Sequence, residues 1–282
     1  VANKEDTKFE TVILDNTTPA ITNIVANPNP VSVNTPVTLT ATLDGSGTDG
    51  SRIASAECSV DGGGWMPMDA VDGQFDEATE DVTATIKPFA TPDVLTIAVR
   101  STDALGNTGP PVSILLAVYD PTAGFVTGGG WINSPLGAYS LDPTLTGKAT
   151  FGFVSKYQKG ANAPTGQTEF QFRVADLNFH STSYEWLVVA GPRAQFKGSG
   201  TINGAGNYGF MLTAIDGQIN GGGGMDKFRI KIWDKATGAI IYDNQMGAAD
   251  TDDPTTAIAG GSIIIHTTVS YTHLTLPTKR IV

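Results

Sequence analysis

Cysteine is almost missing from this chain. The single one, Cys58, excludes any disulfide within the 282 residues. A buried core must therefore hold the fold, and domains of ~100 residues or more can bury enough surface to do so. Ala56, Cys58 and Val60 alternate with Glu57, Ser59 and Asp61. That places Cys58 on an apolar face as a small buried hydrophobe, with no cationic setting to make it reactive. Basic residues are also scarce: 17 Lys and Arg stand against 28 Asp and Glu, for a net charge of −11. Nucleic acid, which is gripped by clustered Lys and Arg, is excluded as a partner on that ground. No apolar run approaches the ~20 residues of a membrane-spanning helix, so no membrane insertion is expected. Helix-forming runs are nearly absent. Only three histidines occur, His180, His266 and His273, too far apart to suggest a zinc set.

Catalytic parts are wanting as well. Asp176, Glu185 and Asp216 supply carboxylates, but no spacing pairs them as a glycosidase requires. No Gly-x-Ser-x-Gly nucleophile turn is present. Gly221 to Gly224 lack the Lys and Ser/Thr of a phosphate-binding loop and read as a mobile loop. The expectation is a chain with no enzymatic activity and no catalytic residue.

What the chain has is turns and alternation. It carries 33 Gly and 16 Pro, and Thr, Asn, Asp and Ser crowd the segments between apolar runs. Val37, Leu39, Ala41 and Leu43 alternate with Thr38, Thr40 and Thr42, the period of a half-buried strand. Similar runs fall at 21–26, 55–60, 82–86, 95–99 and 114–119. A hairpin is signalled where Asp61-Gly62-Gly63-Gly64 leads into Trp65-Met66. About seven strands in ~100 residues suit an immunoglobulin-like sandwich. Past Pro121 the strands grow longer and more aromatic. Phe151 and Phe153 alternate, as do Phe170, Phe172 and Val174, and Phe228, Ile230 and Ile232 oppose Arg229, Lys231 and Trp233. Roughly ten strands are expected there. The fold class read from the chain is all-β: an immunoglobulin-like sandwich plus a second antiparallel β-sandwich or barrel.

These patterns divide the chain into four segments. Residues 1–16, with the strand-like Phe9 to Leu14, read as the last strand of an upstream module, so the chain resembles a piece of a longer tandem array. Residues 17–120 form the immunoglobulin-like domain, and residues 121–268 form a C-terminal β-domain. Residues 269–282 depart from everything before them and read as a non-native tail.

Two stretches carry a family likeness. Ser59-Val60-Asp61-Gly62-Gly63-Gly64-Trp65 and Val99-Arg100-Ser101-Thr102-Asp103-Ala104-Leu105-Gly106-Asn107-Thr108 resemble the paired motifs of bacterial immunoglobulin-like domains. Phe125 to Asn133, Thr146 to Phe153, Asp176 to Ser181 and Asp226 to Asp234 are similar to a β-rich domain at the C-termini of secreted bacterial proteins, the kind found after choice-of-anchor modules. These resemblances imply location and architecture: an extracellular or cell-surface setting and spacer, adhesion or polysaccharide-associated roles. They imply no active site.

Two candidate sites remain. Asp250, Asp252 and Asp253 cluster before Pro254, with Asp243 and Asn244 a short loop away. Such oxygens suit calcium, and a solvated acidic turn is the competing and favoured reading. Asp103 and Asn107 are weaker calcium candidates. Tyr184 and Trp186, two residues apart, should project from one face of a strand. Exposed, they would form a flat platform for carbohydrate, but large aromatics are more often core, and core is favoured. No cofactor is expected beyond possible calcium. The leading functional reading is a non-enzymatic extracellular spacer or adhesion fragment of a bacterial multidomain protein, with polysaccharide or a cell-surface protein as partner. The alternative is a carbohydrate-binding accessory module of a secreted hydrolase.

Overall fold

The computed structural model describes residues 16–47 and 51–267. The upstream strand expected before residue 16 and the tail expected from residue 269 lie outside the described residues. The chain divides into two compact units. Among the described residues, those in 16–29, 36–88 and 95–116 form one, and those in 30–35, 89–94 and 117–267 form the other. The segments 30–35 and 89–94 thus group with the second unit, where the sequence suggested one cut near Pro121. No described helix is long and apolar enough to cross a membrane.

The immunoglobulin-like sandwich is built from β1 (Ala20–Asn27), β2 (Val31–Ser32), β3 (Val37–Asp44), β4 (Ile53–Val60), β5 (Met66–Ala70), β6 (Thr79–Ile86), β7 (Asp93–Asp103) and β8 (Val112–Tyr119). Their order is β1-β3-β6-β5-β4-β7-β8-β2. β5 belongs to both layers. Its start pairs with β4, Met66 opposite Cys58, and its end pairs with β6, Ala70 opposite Val82. Such a strand makes the corner of a sandwich. Alternation decides what is inside. Val37, Leu39 and Leu43 of β3 and Ile97 and Val99 of β7 are fully buried, and Cys58 is buried beside them. Each fully buried Val, Leu or Ile contributes about 1.5–3 kcal/mol. Burial pushes the Cys58 thiol up, as expected of an inert buried cysteine.

The motif residues turn out to be structural. Arg100 lies 4.1 Å over the Trp65 ring and pairs with Glu57 at 2.7 Å. Asp103 closes its own turn, its carboxylate accepting from the backbone N–H of Leu105 and Asn107 and from the Asn107 side chain. Burial opposes its ionisation, but these donors outweigh burial and hold the carboxyl below its ordinary value. A carboxyl depressed in the folded state contributes stability above its unfolded pKa, and that stability is lost as pH falls through the folded value. Thermal unfolding followed downward from pH 5 should therefore show the first unit losing stability more steeply in the parent than in Asp103→Asn.

The second unit contains β9 (Phe125–Ser134), β10 (Gly147–Tyr157), β11 (Pro164–Phe172), β12 (Leu177–Ala190), β13 (Arg193–Ile202), β14 (Ala205–Ile215), β15 (Lys227–Asp234), β16 (Ile240–Asp243) and β17 (Gly260–His266). That is nine described strands where roughly ten were expected. β9 to β16 form an antiparallel meander, and β17 adds to the free side of β9. The sheet curls until it nearly closes into a barrel. Phe151 of β10 stacks on Phe228 of β15 at 4.1 Å, although four strands separate them in the sheet order. Phe170, Phe172, Phe179, Phe196, Phe210 and Tyr242 complete a wholly buried aromatic interior. Glycine makes room for rings on paired strands: a side chain on Gly128 would collide with the Phe153 ring opposite it.

One alternation breaks early. β11 ends at Phe172, and Arg173–Ala175 forms a 3₁₀ turn closed by Asp176 in the left-handed conformation. Val174, expected to continue the inward series, is 54% exposed for that reason.

Candidate functional site

The acidic residues singled out for calcium sit on the outside of the barrel, but they face cations. Arg229 and Lys231 point outward from β15, as the alternation requires. The segment after β16 folds back over them. Arg229 makes a two-pronged pair with Asp243, Nε to Oδ1 at 3.0 Å and Nη2 to Oδ2 at 2.9 Å. It also donates to the carbonyls of Ala249 and Ala248. Lys231 holds Asp250 at 2.8 Å, and Arg193 reaches Asp253 at 3.3 Å. Asp252 accepts the backbone N–H of Ala249. Asn244, buried, accepts from the Ile230 N–H and donates to the Phe228 carbonyl and the Thr256 hydroxyl. Gln195 adds a bond to the carbonyl of Asp250.

The result is a strap, residues 244–256, fastened to the outer sheet face by side chains from β13 and β15. Arg229 is 2% exposed and Asp243 1%, so that pair is withdrawn from water and each of its charges must be matched. The acids have protein partners. Arg229 lies against Asp243 and Asp250, Lys231 against Asp250 and Arg193 against Asp253, so cationic side chains stand beside three of the four acids. Asp103 and Asn107 are likewise engaged with each other.

The aromatic pair is divided between the two faces of the sheet. A β-bulge falls between Tyr184 and Trp186: Tyr184 stands opposite Gly198, while Trp186 stands opposite Lys197. One extra residue, Glu185, reverses the facing of the rest of the strand. Tyr184 points in, 5.7 Å from both Phe196 and Phe210, with its hydroxyl on Thr168. Trp186 points out and is 5% exposed. The two therefore share no face, and neither offers an open ring.

Two of the three carboxylates considered for catalysis, Glu185 and Asp216, have structural partners, while Asp176 is exposed beside the 3₁₀ turn. Glu185 pairs with Lys197 at 3.0 Å and lies 3.8 Å from Lys235. Asp216 and Asp226 secure the outer edge of β17: Asp216 Oδ2 accepts the Ile265 N–H at 2.9 Å, and Asp226 Oδ2 accepts the Ile263 N–H at 2.7 Å. Their other oxygens take the N–H groups of Gln218 and Gly217. The glycine run between them, expected to be a mobile loop, is tied down. Gly222 and Gly224 donate to the carbonyls of Ile219 and Gly217, and any side chain at Gly222 would strike the Asp216 carbonyl.

A second acidic cluster escaped the sequence reading. In the first unit, the turn after β5 brings one carboxylate oxygen each of Asp72, Asp76 and Glu77 within 4.8 Å of one another. Beside them opens a cleft of about 400 Å³, lined by Asp72, Glu77, Glu80 and Asp81 among others. Glu80 is the unusual member. It stands opposite Leu43 on the inward face of β6, at 3% exposure, and its Oε2 has no hydrogen-bond partner. Burial pushes its carboxyl up and the Asp72 and Glu77 charges push the same way, against the backbone N–H groups of Glu77 and Asp76. A signal was present in the chain: Glu80 falls in step with Val82, Ala84 and Ile86, where an apolar residue belongs.

No family model, no curated protein and no solved structure matches this chain.

Proposed function

We propose that this chain is a non-enzymatic extracellular spacer or adhesion fragment of a bacterial multidomain surface or secreted protein. Its mechanism is presentation and spacing: folded β units hold a functional head away from the surface. The observation that supports this reading is the use to which the second unit puts its polar side chains. Arg229, Asp243, Gln195 and Asn244 lock the 244–256 strap, and Asp216 and Asp226 guard the β17 edge. Groups held in such networks stabilise one arrangement and leave little capacity to adapt to a substrate. An unprotected sheet edge would invite pairing with other chains, and a surface spacer at high local density has particular need of its closure.

Stretching single molecules from their ends tests this. A spacer of this kind should lengthen in two discrete steps of roughly 30 and 50 nm, set by the extended reach of each unit's residues. Gradual lengthening at low force without steps would contradict it. Turnover of a glycosidic, ester or peptide substrate that Glu185→Ala or Asp176→Ala abolishes would contradict it equally.

A further inference from the structure

We propose that Asp72, Asp76, Glu77 and Glu80 form a binding site for a hard divalent cation of the calcium type, in the turn that joins β5 to β6. Three features of the first unit carry this. Oxygens bound to one Ca²⁺ at 2.3–2.6 Å can lie no more than about 5 Å apart. The carboxylate oxygens of Asp72, Asp76 and Glu77 meet that limit, all lying within 4.8 Å of one another. A trio of exposed acids alone would not amount to a site, because water can screen their repulsion. Glu80 is different in kind. It is a carboxylate on an inward-facing strand position, 97% withdrawn from solvent, with one oxygen left without a partner. It lines the same cleft as Asp72 and Glu77, and the charges of those two acids and the backbone N–H groups of Glu77 and Asp76 act on its carboxyl, so Glu80 and the trio belong to one neighbourhood.

Buried polar atoms in native folds are almost always satisfied by a partner, and a carboxylate so placed, with no described cation near it, calls for a positive ligand. Ca²⁺ suits the donor set better than a transition metal. All four donors are hard oxygens and none is nitrogen or sulfur. The chemistry also favours Ca²⁺ over Mg²⁺. Three of the donors ride on a solvent-exposed turn, and Ca²⁺ tolerates irregular geometry, with water completing its 6–8 ligands, whereas Mg²⁺ demands a near-ideal octahedron. Once bound, the ion would pin residues 72–77 against β6. This site lies in the other unit from the Asp250 loop, where lysine and arginine already neutralise the acids.

The test is isothermal titration of the full chain with CaCl₂, after chelator treatment, beside thermal unfolding in Ca²⁺, in Mg²⁺ and in NaCl of matched ionic strength. One Ca²⁺ per chain is expected with a Kd in the range of about 10⁻⁴–10⁻³ M usual for extracellular modules. At tenfold excess over Kd the first unit should melt on the order of 5 °C higher, and Mg²⁺ should do less. Asp72→Asn with Glu77→Gln should abolish the response, and Glu80→Gln should weaken binding at least tenfold. These exchanges keep side-chain shape, and the chelator-treated variants should retain the parent's circular dichroism. Asp252→Asn should respond as the parent does. The proposal is overturned by the absence of binding heat, by an equal shift in NaCl, by full Ca²⁺ affinity in Glu80→Gln, or by loss of the response in Asp252→Asn alone.

Discussion

Replacing Arg229 with methionine should lower the stability of the second unit by about 3–5 kcal/mol, the usual cost of leaving one member of a buried ion pair uncompensated. For a unit of this size that corresponds to a fall in melting temperature on the order of 10 °C. The cost has two parts. Asp243, 1% exposed, would keep a charge with no cation against it. The carbonyls of Ala248 and Ala249 would also lose their donor, and with it the strap's main anchor. The double variant Arg229→Met/Asp243→Asn should be less damaging than the sum of the two single changes, because it removes the orphaned charge. A cycle of the four proteins measures that coupling directly. Additive effects would show that the pair is not the unit of stabilisation.

The second large effect should come from the β17 edge. Asp216→Ala removes the acceptor for the Ile265 N–H and for that of Gln218. Each buried donor left unmade costs about 1–3 kcal/mol, and Asp216 is itself 4% exposed, so water does not readily replace it. Asp226→Ala frees the Ile263 N–H in the same way. Together the two changes would turn a guarded edge into a row of open donors. Beyond a loss of about 3 kcal/mol or more, estimated from those unmade bonds, the double variant should therefore associate with concentration, as exposed strand edges do. Sedimentation velocity at several concentrations would show it. A double variant that stays monomeric and melts with the parent would mean that β17 is held by its pairing with β9 alone.

Most of the sheet was legible because strands announce themselves by alternation. Val37, Leu39, Ala41 and Leu43 lie inward as read, and so do Phe228, Ile230 and Ile232. β2 was missed because two residues cannot display a period. The end of β11 was missed because Val174 kept the pattern while the backbone had already turned. The sites were less legible, and for a different reason. Alternation assigns Arg229 to the outer face, and an outer residue is normally exposed. Its burial depends on a segment 15 or more residues further on, which no local pattern reports. The Glu185 bulge is equally silent in sequence, yet it separates Tyr184 from Trp186. Glu80 is the exception: a charge in the inward series of β6 was visible, and unlike buried Asp103 it has an oxygen without a hydrogen-bond partner.

Arg229, Asp243, Gln195 and Asn244 fasten the 244–256 strap, and Asp216 and Asp226 fasten β17. Hydrogen exchange on the full chain, read by mass spectrometry at peptide resolution, tests that claim most directly. Segment 244–256 should exchange slowly, in the same class as β15 and β17, because its anchoring groups open only when the unit does. Exchange of that segment as fast as the exposed turn at 71–76, while β15 stays protected, would show a free loop whose acids are available to bind something, and would contradict the claim.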